Sequence, residues 1–207
     1  YWEKDIVVTE DIKEIDFGDK ITSIELYVIL NTPVEKLRLG KSIEKIKANS
    51  FYNCRKLKTY ILDSDNLKDG DVNSFIEPND KYQQLLVDEN DTSDYTKDIN
   101  LIVTSNVIKI PAYFFYNDSS KYQGRIGSIT FETATDNSET KKLFINKYAF
   151  YGQNNLKIID LPERLDTARD YCFAECTGTE KIIIEAGTIN SKAFDNNSAT
   201  HLSIGNN

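Results

Sequence analysis

Few side chains in this 207-residue sequence are of types that act as ligands, nucleophiles or redox groups, and their spacing argues against each of those chemistries. Three cysteines, Cys54, Cys172 and Cys176, raise disulfide and metal readings. No Cys-x-x-Cys pair is present, and the single histidine, His201, lies far along the chain from Cys54. Zinc needs four such ligands brought together, so no metal is expected here. Asp69-x-Asp71-x-Asn73 begins like a calcium loop, but Ser74 stands where the loop needs Gly and Asp80 where it needs a bidentate Glu. A flexible acidic turn is the better reading of that stretch, and of Asp88-Glu89-Asn90-Asp91. Gly-x-Ser-x-Gly, the full phosphate-binding Gly-x-x-x-x-Gly-Lys-Ser/Thr loop and His-Glu-x-x-His are all absent. With one histidine no histidine-based triad can be assembled from an obvious partner. Paired carboxylates for glycoside hydrolysis could come from any of 33 acidic residues, and nothing raises one pair above the rest. No catalytic residue, cofactor site or enzyme activity is therefore expected.

The elements that would position any site are repeated. Ile46-Lys47-Ala48-Asn49-Ser50-Phe51-Tyr52-Asn53-Cys54 leads into Leu57-Lys58-Thr59-Tyr60-Ile61-Leu62. The same order, an apolar residue, a small residue with Phe, then an apolar strand, returns at 145–161, 168–184 and 189–204. Irregular copies lie at 110–131 and 72–87, and strand halves alone at 12–17 and 34–39. The Phe anchors are Phe51, Phe75, Phe115, Phe150, Phe173 and Phe194. Their shorter steps fall within the period range of solenoid repeats. Segments 88–105, 117–124 and 133–140, rich in Asp, Asn, Ser and Thr, read as inserted loops. Each strand follows one template, apolar at positions one, four and six, which is too short a pattern for a helix. The Phe segment should be a tight irregular or 3₁₀ turn that drives its ring into the core. One such unit cannot bury enough surface alone, so the repeats must stack, with stability passing between neighbours.

The pattern Ile-x-x-x-Ala-Phe-x-x-Cys-x-x-Leu-x-x-Ile-x-Ile resembles the leucine-rich repeats of BspA-type bacterial surface proteins. The likeness is closest at 145–161 and 168–184, has Ser50 in place of Ala at 46–62, and extends over about residues 12–205. The usual Ile-Pro after the strand survives only as Leu161-Pro162. The resemblance implies a right-handed, curved leucine-rich repeat solenoid with a parallel β-sheet on its concave face. The convex side would be loop or 3₁₀ structure, and residues 1–207 would form one domain of about seven to eight repeats. It also implies a secreted or surface-displayed protein engaged in adhesion and host-protein binding, and no catalysis.

Strand positions two, three and five should face outward on the concave side. Position five reads Asp16, Arg38, Ile61, Leu86, Thr130, Asp160, Ile183 and Ser203, and position three includes Ile158 and Lys181. Ile61, Leu86, Ile158 and Ile183 are then exposed apolar groups on a sheet, the mark of an interaction surface. With Lys181 and Arg38 they form the expected partner-binding set. The partner is expected to be a protein, bound by this face and the insertion loops. A spacer that presents another domain, or a glycan-binding module, is the alternative. The net charge of −8 repels phosphate backbones, so nucleic acid is disfavoured. No apolar run is long enough to span a bilayer. The chain contains no Met and no targeting segment, and reads as processed or cut from a longer protein.

Cys54 and Cys176 hold the same repeat position, four repeat steps or roughly 19 Å apart at strand spacing. A disulfide needs its Cα atoms within about 7 Å, so these two cannot pair. A Cys172–Cys176 bridge would strain the tight turn, and free buried thiols filling small core slots are favoured.

Overall fold

The computed structural model describes residues 11–25, 27–47, 49–68, 85, 94–117, 124–133 and 141–205. In chain order the strands are β1 Glu14–Asp16, β2 Ser23–Ile24, β3 Lys36–Leu39, β4 Lys45–Ile46, β5 Thr59–Leu62, β6 Ile99–Val103 and β7 Lys109–Ile110. They continue with β8 Ile126–Phe131, β9 Leu143–Ile145, β10 Ile158–Leu161, β11 Leu165–Ala168, β12 Lys181–Ile184, β13 Thr188–Ile189 and β14 His201–Ile204. Every pairing among them is parallel.

Most coils contribute to two ladders. One ladder runs β1-β3-β5-β6-β8 and resumes as β10-β12-β14. β8 and β10 lie side by side without ladder hydrogen bonds. The second ladder, of short strands, runs β7-β9-β11-β13, with β2-β4 as a separate pair. This second ladder occupies part of the side expected to be loop or 3₁₀, and the described residues there form strands and turns. A leucine-rich repeat solenoid of parallel sheets is the result, as the resemblance implied.

The template's alternation is visible in the burial of the strands. In β10, Ile159 and Leu161 are buried while Ile158 and Asp160 are exposed. In β5, Tyr60 and Leu62 are buried and Thr59 and Ile61 half-buried. One expectation fails. Residues 88–105 are not a loop throughout, because β6 lies within them. Ile99, Leu101 and Val103 are buried and alternate with Asn100 and Ile102, a strand pattern hidden by the polar residues around it. β6 holds the place in the stack between β5 and β8 that Tyr82–Val87 was expected to fill. Leu86 and Phe75 lie outside the described residues.

The anchors form one continuous column. Phe17–Phe51, Phe51–Tyr60, Tyr60–Phe115, Phe115–Phe150, Phe150–Phe173 and Phe173–Phe194 ring centroids are 6.0, 5.9, 5.5, 5.4, 4.8 and 5.9 Å apart. These distances are those of favourable aromatic pairs. Phe51, Phe150 and Phe173 have no exposed surface. Tyr60, a strand residue, bridges Phe51 and Phe115 across the irregular coil.

The anchor turn is a third hydrogen-bonded side of the coil. Backbone N–H groups of Tyr148, Phe150 and Gly152 donate to the carbonyls of Asp170, Cys172 and Ala174 in the next coil. In most coils the backbone is left-handed both two residues before and two residues after the anchor, whereas the Phe115 coil makes the same three bonds with left-handed geometry at Tyr113 and not at Asn117. Tyr148 and Gly152 flank Phe150 in this way, Tyr171 and Glu175 flank Phe173, and Asn49 and Asn53 flank Phe51. Tyr27 and Asn31 flank Ile29, so the fully buried Ile29 is an anchor of an earlier coil, one that carries no Phe. A side chain three residues after the anchor then caps the previous anchor's carbonyl. Cys54 donates to Ile29, Gln153 to Phe115 at 2.6 Å, and Cys176 to Phe150.

Two buried arginines secure the irregular middle. Arg125, 2% exposed, donates to the carbonyls of Cys54, Thr96 and Leu85 and lies over the Tyr95 ring. Burial without a carboxylate pulls its pKa down to about 10. Arg164 donates to the carbonyls of Val107 and Thr104.

Two substitutions test the column. Phe150→Ala should cost about 3–5 kcal/mol, because its neighbours on both sides lose their packing partner. Denaturant unfolding measures this, and a loss below about 1 kcal/mol would refute the column as the core. The Tyr60 hydroxyl is buried with no hydrogen-bond partner. Tyr60→Phe should therefore stabilise the fold by about 1 kcal/mol or more, since it removes an unsatisfied polar group.

Candidate functional site

The long-strand face is where the sequence places the binding residues, and its rows follow from the strand registers. Position five runs Asp16, Arg38, Ile61, Ile102 and Thr130, then Asp160, Ile183 and Ser203. Position three runs Glu14, Lys36, Thr59, Asn100 and Ser128, then Ile158, Lys181 and His201. Ile102 thus stands where Leu86 was expected, opposite Ile61 in the ladder. The face has an ionic end at β1 and β3, an aliphatic pair at Ile61 and Ile102, and a polar strip at Ser128 and Thr130. A second aliphatic group, Ile158 and Ile183, alternates with Lys181 and Asp160.

The named residues differ in availability. Ile158 is 50% exposed, while Ile61, Ile102 and Ile183 are half-buried. Lys181 is exposed beside Ile158. Arg38 is occupied within the fold. Its guanidinium donates to Asp16 at 2.9 Å, Asp19 at 3.1 Å and Asp63 at 2.5 Å. Asp63 is buried and also accepts from Thr104 at 2.6 Å and Asn106 at 2.8 Å. Burial opposes its ionisation, but the bonds from Asn106, Thr104 and Arg38 prevail and hold its carboxyl below the ordinary range. This network ties β1, β3 and the end of β5 to the turn after β6. Arg38 is therefore better understood as a structural tie than as a free cation for a partner.

A second surface was not read from the sequence. Tyr113, Tyr148 and Tyr171, each two residues before an anchor, stack at 5.0 Å with interplanar angles of 21° and 9°. Tyr116 and Tyr151, each one residue after an anchor, form a parallel row at 5.0 Å. The signal was present, since three successive coils put Tyr in the same position. These rings lie on the anchor-turn side, whereas the strand template directs attention to the sheet.

The cysteines are free and buried. Burial pushes the Cys176 thiol up to about 12, and burial raises the thiols of Cys172 and Cys54 as well. Thiolate is the reactive form, so none of them is poised for nucleophilic or redox chemistry. Among the described residues no three His, Cys, Asp or Glu side chains gather as a metal site. The Asp69-x-Asp71-x-Asn73 stretch lies outside those residues. No described helix is long and apolar enough to cross a membrane.

The profile of the BspA type Leucine rich repeat region matches residues 8–85 and 125–207, in six copies. The chain belongs to this family. No curated protein matches it. A solved structure of a leucine rich cell surface protein from Faecalibacterium prausnitzii A2-165 is similar at 17% identity and a TM-score of 0.44. The match covers 96% of this chain and 61% of that one, so the chain spans less than two thirds of that structure's length.

The thiols give a pH prediction. An unfolded chain ionises its cysteines near pH 9.0, while folded Cys176 keeps its proton until about 12. The unfolded state then holds fewer protons across that window, so stability should fall as pH rises from about 9 to about 12. Native protein should also resist a thiol reagent at pH 8 and label three cysteines once unfolded. Rapid labelling of the native protein would contradict the buried assignment.

Proposed function

We propose that this chain is a non-catalytic interaction module of a secreted or surface-displayed bacterial protein, and that it grips a partner protein through its long-strand face. The carrying observation is Ile158, half exposed on the outward face of β10, in a row with Lys181 and one strand from Ile183. Such a residue loses water contact only when something docks on it. The Ile61–Ile102 pair is a second aliphatic contact on the same face, across the Ser128 and Thr130 strip. Interfaces combine an apolar centre with polar surroundings in this way. Family membership supports the reading.

Charge on the face alternates in sign, Glu14 against Lys36 and Asp16 against Arg38, so the partner need not be strongly charged. Among the described residues the outward positions carry no aromatic ring on which a sugar could stack, which favours a protein over a glycan partner for this face.

Purified chain should be tested by surface plasmon resonance against a panel of purified extracellular proteins, beside an Ile158→Glu, Ile61→Lys double variant. Any partner that binds the native chain through this face should bind the variant about ten-fold more weakly or worse, since burying an unpaired charge costs more than losing a methyl contact. Equal binding by both proteins would remove the face from the proposal.

A further inference from the structure

The tyrosine rows on the anchor turns end in a cleft. Its volume is about 290 Å³, and Tyr113, Tyr116, Tyr148, Tyr151, Tyr171, Ala174, Glu175 and Asp195 line it. The cause is a single step in the repeat. One residue after the anchor, successive coils carry Tyr116, Tyr151, Ala174 and Asp195. Where Ala174 replaces a ring, the row drops to a methyl group and leaves a notch beside Tyr151 and Tyr171. Two carboxylates from the next positions, Glu175 and Asp195, close it.

The two charged groups of that lining, Glu175 and Asp195, are negative, and Lys192 lies beside them at Tyr171 and Asp195. Ring faces attract cations through the aromatic quadrupole, and adjacent carboxylates add to the attraction. The same tyrosines already do this within the molecule. Lys147 Nζ lies 5.1 Å from the Tyr148 ring centroid, and Lys192 Nζ lies 5.6 Å from that of Tyr171. Glu175 is also conformationally costly. Its φ is 58°, at a position where other coils use Asn31, Asn53, Gly152 and Asn196. Asn and Gly adopt that backbone readily and Glu does not. Asn196 Nδ2 donates to Glu175 Oε2 at 2.7 Å and fixes the carboxylate at the rim.

We infer that this cleft binds the cationic side chain of an arginine or lysine presented by a polypeptide partner. Its volume suits one side chain and lies at the low end for enclosing a small-molecule ligand. The aromatic walls take the flat or methylene part of the guest, and Glu175 and Asp195 take its N–H donors. An arginine makes the fuller use of this, because its planar guanidinium stacks on a ring while its edge reaches a carboxylate. The site sits on the anchor-turn side of the coil and stands independently of the long-strand face.

The test is a titration of protein labelled with ¹³C at tyrosine, followed by ring resonances in two-dimensional NMR. The probes are a blocked Gly-Arg-Gly peptide, its citrulline counterpart, which is neutral and nearly isosteric, and maltose. The arginine peptide should shift Tyr148, Tyr151 and Tyr171 saturably in the millimolar range. Citrulline should bind about ten-fold more weakly, and so should arginine to the Glu175→Gln, Asp195→Asn double variant, which keeps the shape of both side chains. The Ile158→Glu, Ile61→Lys variant should bind the arginine peptide as the native chain does, which separates a failure here from a failure of the sheet-face reading. Absence of saturable shifts with arginine would overturn the inference. An equal response to citrulline, or binding of maltose in preference to arginine, would overturn it as well.

Discussion

A ring from one coil is covered by the ring of the next, and neither is buried without the other. The six contacts from Phe17 to Phe194 make a single aromatic column through the described structure, and the parallel ladders set the spacing at which those rings meet. The rest depends on that constraint. The anchor must enter the core from a tight turn, so the backbone turns left-handed before it and, in most coils, after it as well. That reversal aims alternate N–H groups along the solenoid axis, where the next coil supplies their acceptors. The capping side chain three residues on, Cys54, Gln153 or Cys176, then satisfies the carbonyl of the previous anchor. Cysteine at this position is thus explained by packing and a weak hydrogen bond, and redox chemistry is not needed to account for it.

The irregular centre shows what happens when a coil departs from the repeat. Tyr60 supplies a ring from a strand, at the expense of a hydroxyl left without a partner. Arg125 and Arg164 meet backbone carbonyls from segments far apart in sequence, with donors in the fork geometry that guanidinium offers. Burying a guanidinium without a carboxylate is costly, and it is tolerable here because several carbonyls share each cation. Asp63 plays the complementary role, buried against Arg38, Thr104 and Asn106. Insertions into the solenoid are therefore held by ionic and polar ties, whereas the regular coils rely on aromatic stacking.

With the interior and the three hydrogen-bonded sides committed to the fold, function is left to what projects outward. On the long-strand face that means positions three and five, and on the anchor turns it means the residues flanking each Phe. Both surfaces inherit the repeat spacing, so like residues in successive coils become rows. Stacked tyrosines 5.0 Å apart are the direct consequence of Tyr recurring two residues before the anchor. A single change, Ala174 after a run of tyrosines, is enough to turn such a row into a cleft.

The sequence by itself determined the periodic part. Small-Phe pairs, the strand template and the turn residues dictated parallel coils, a buried Phe column and the outward row from Asp16 to Ser203 except at its fourth place, where Ile102 stands instead of Leu86, because each depends only on local spacing and on identical neighbours. Ile61, Ile158 and Ile183 were legible on that ground. The tertiary structure decided whatever depends on a partner distant in sequence. It placed Ile99–Val103 in the sheet, where the polar residues around it had suggested a loop, because a strand is chosen by the edge it can pair with. It committed Arg38 to three carboxylates, all of them in neighbouring coils, and so tied it into the fold. It showed Ile29 to be an anchor, since its backbone bonds to the coil of Phe51 reveal a role that its residue type does not. It also brought five tyrosines from three coils around one cleft, a grouping set by the stacking of coils.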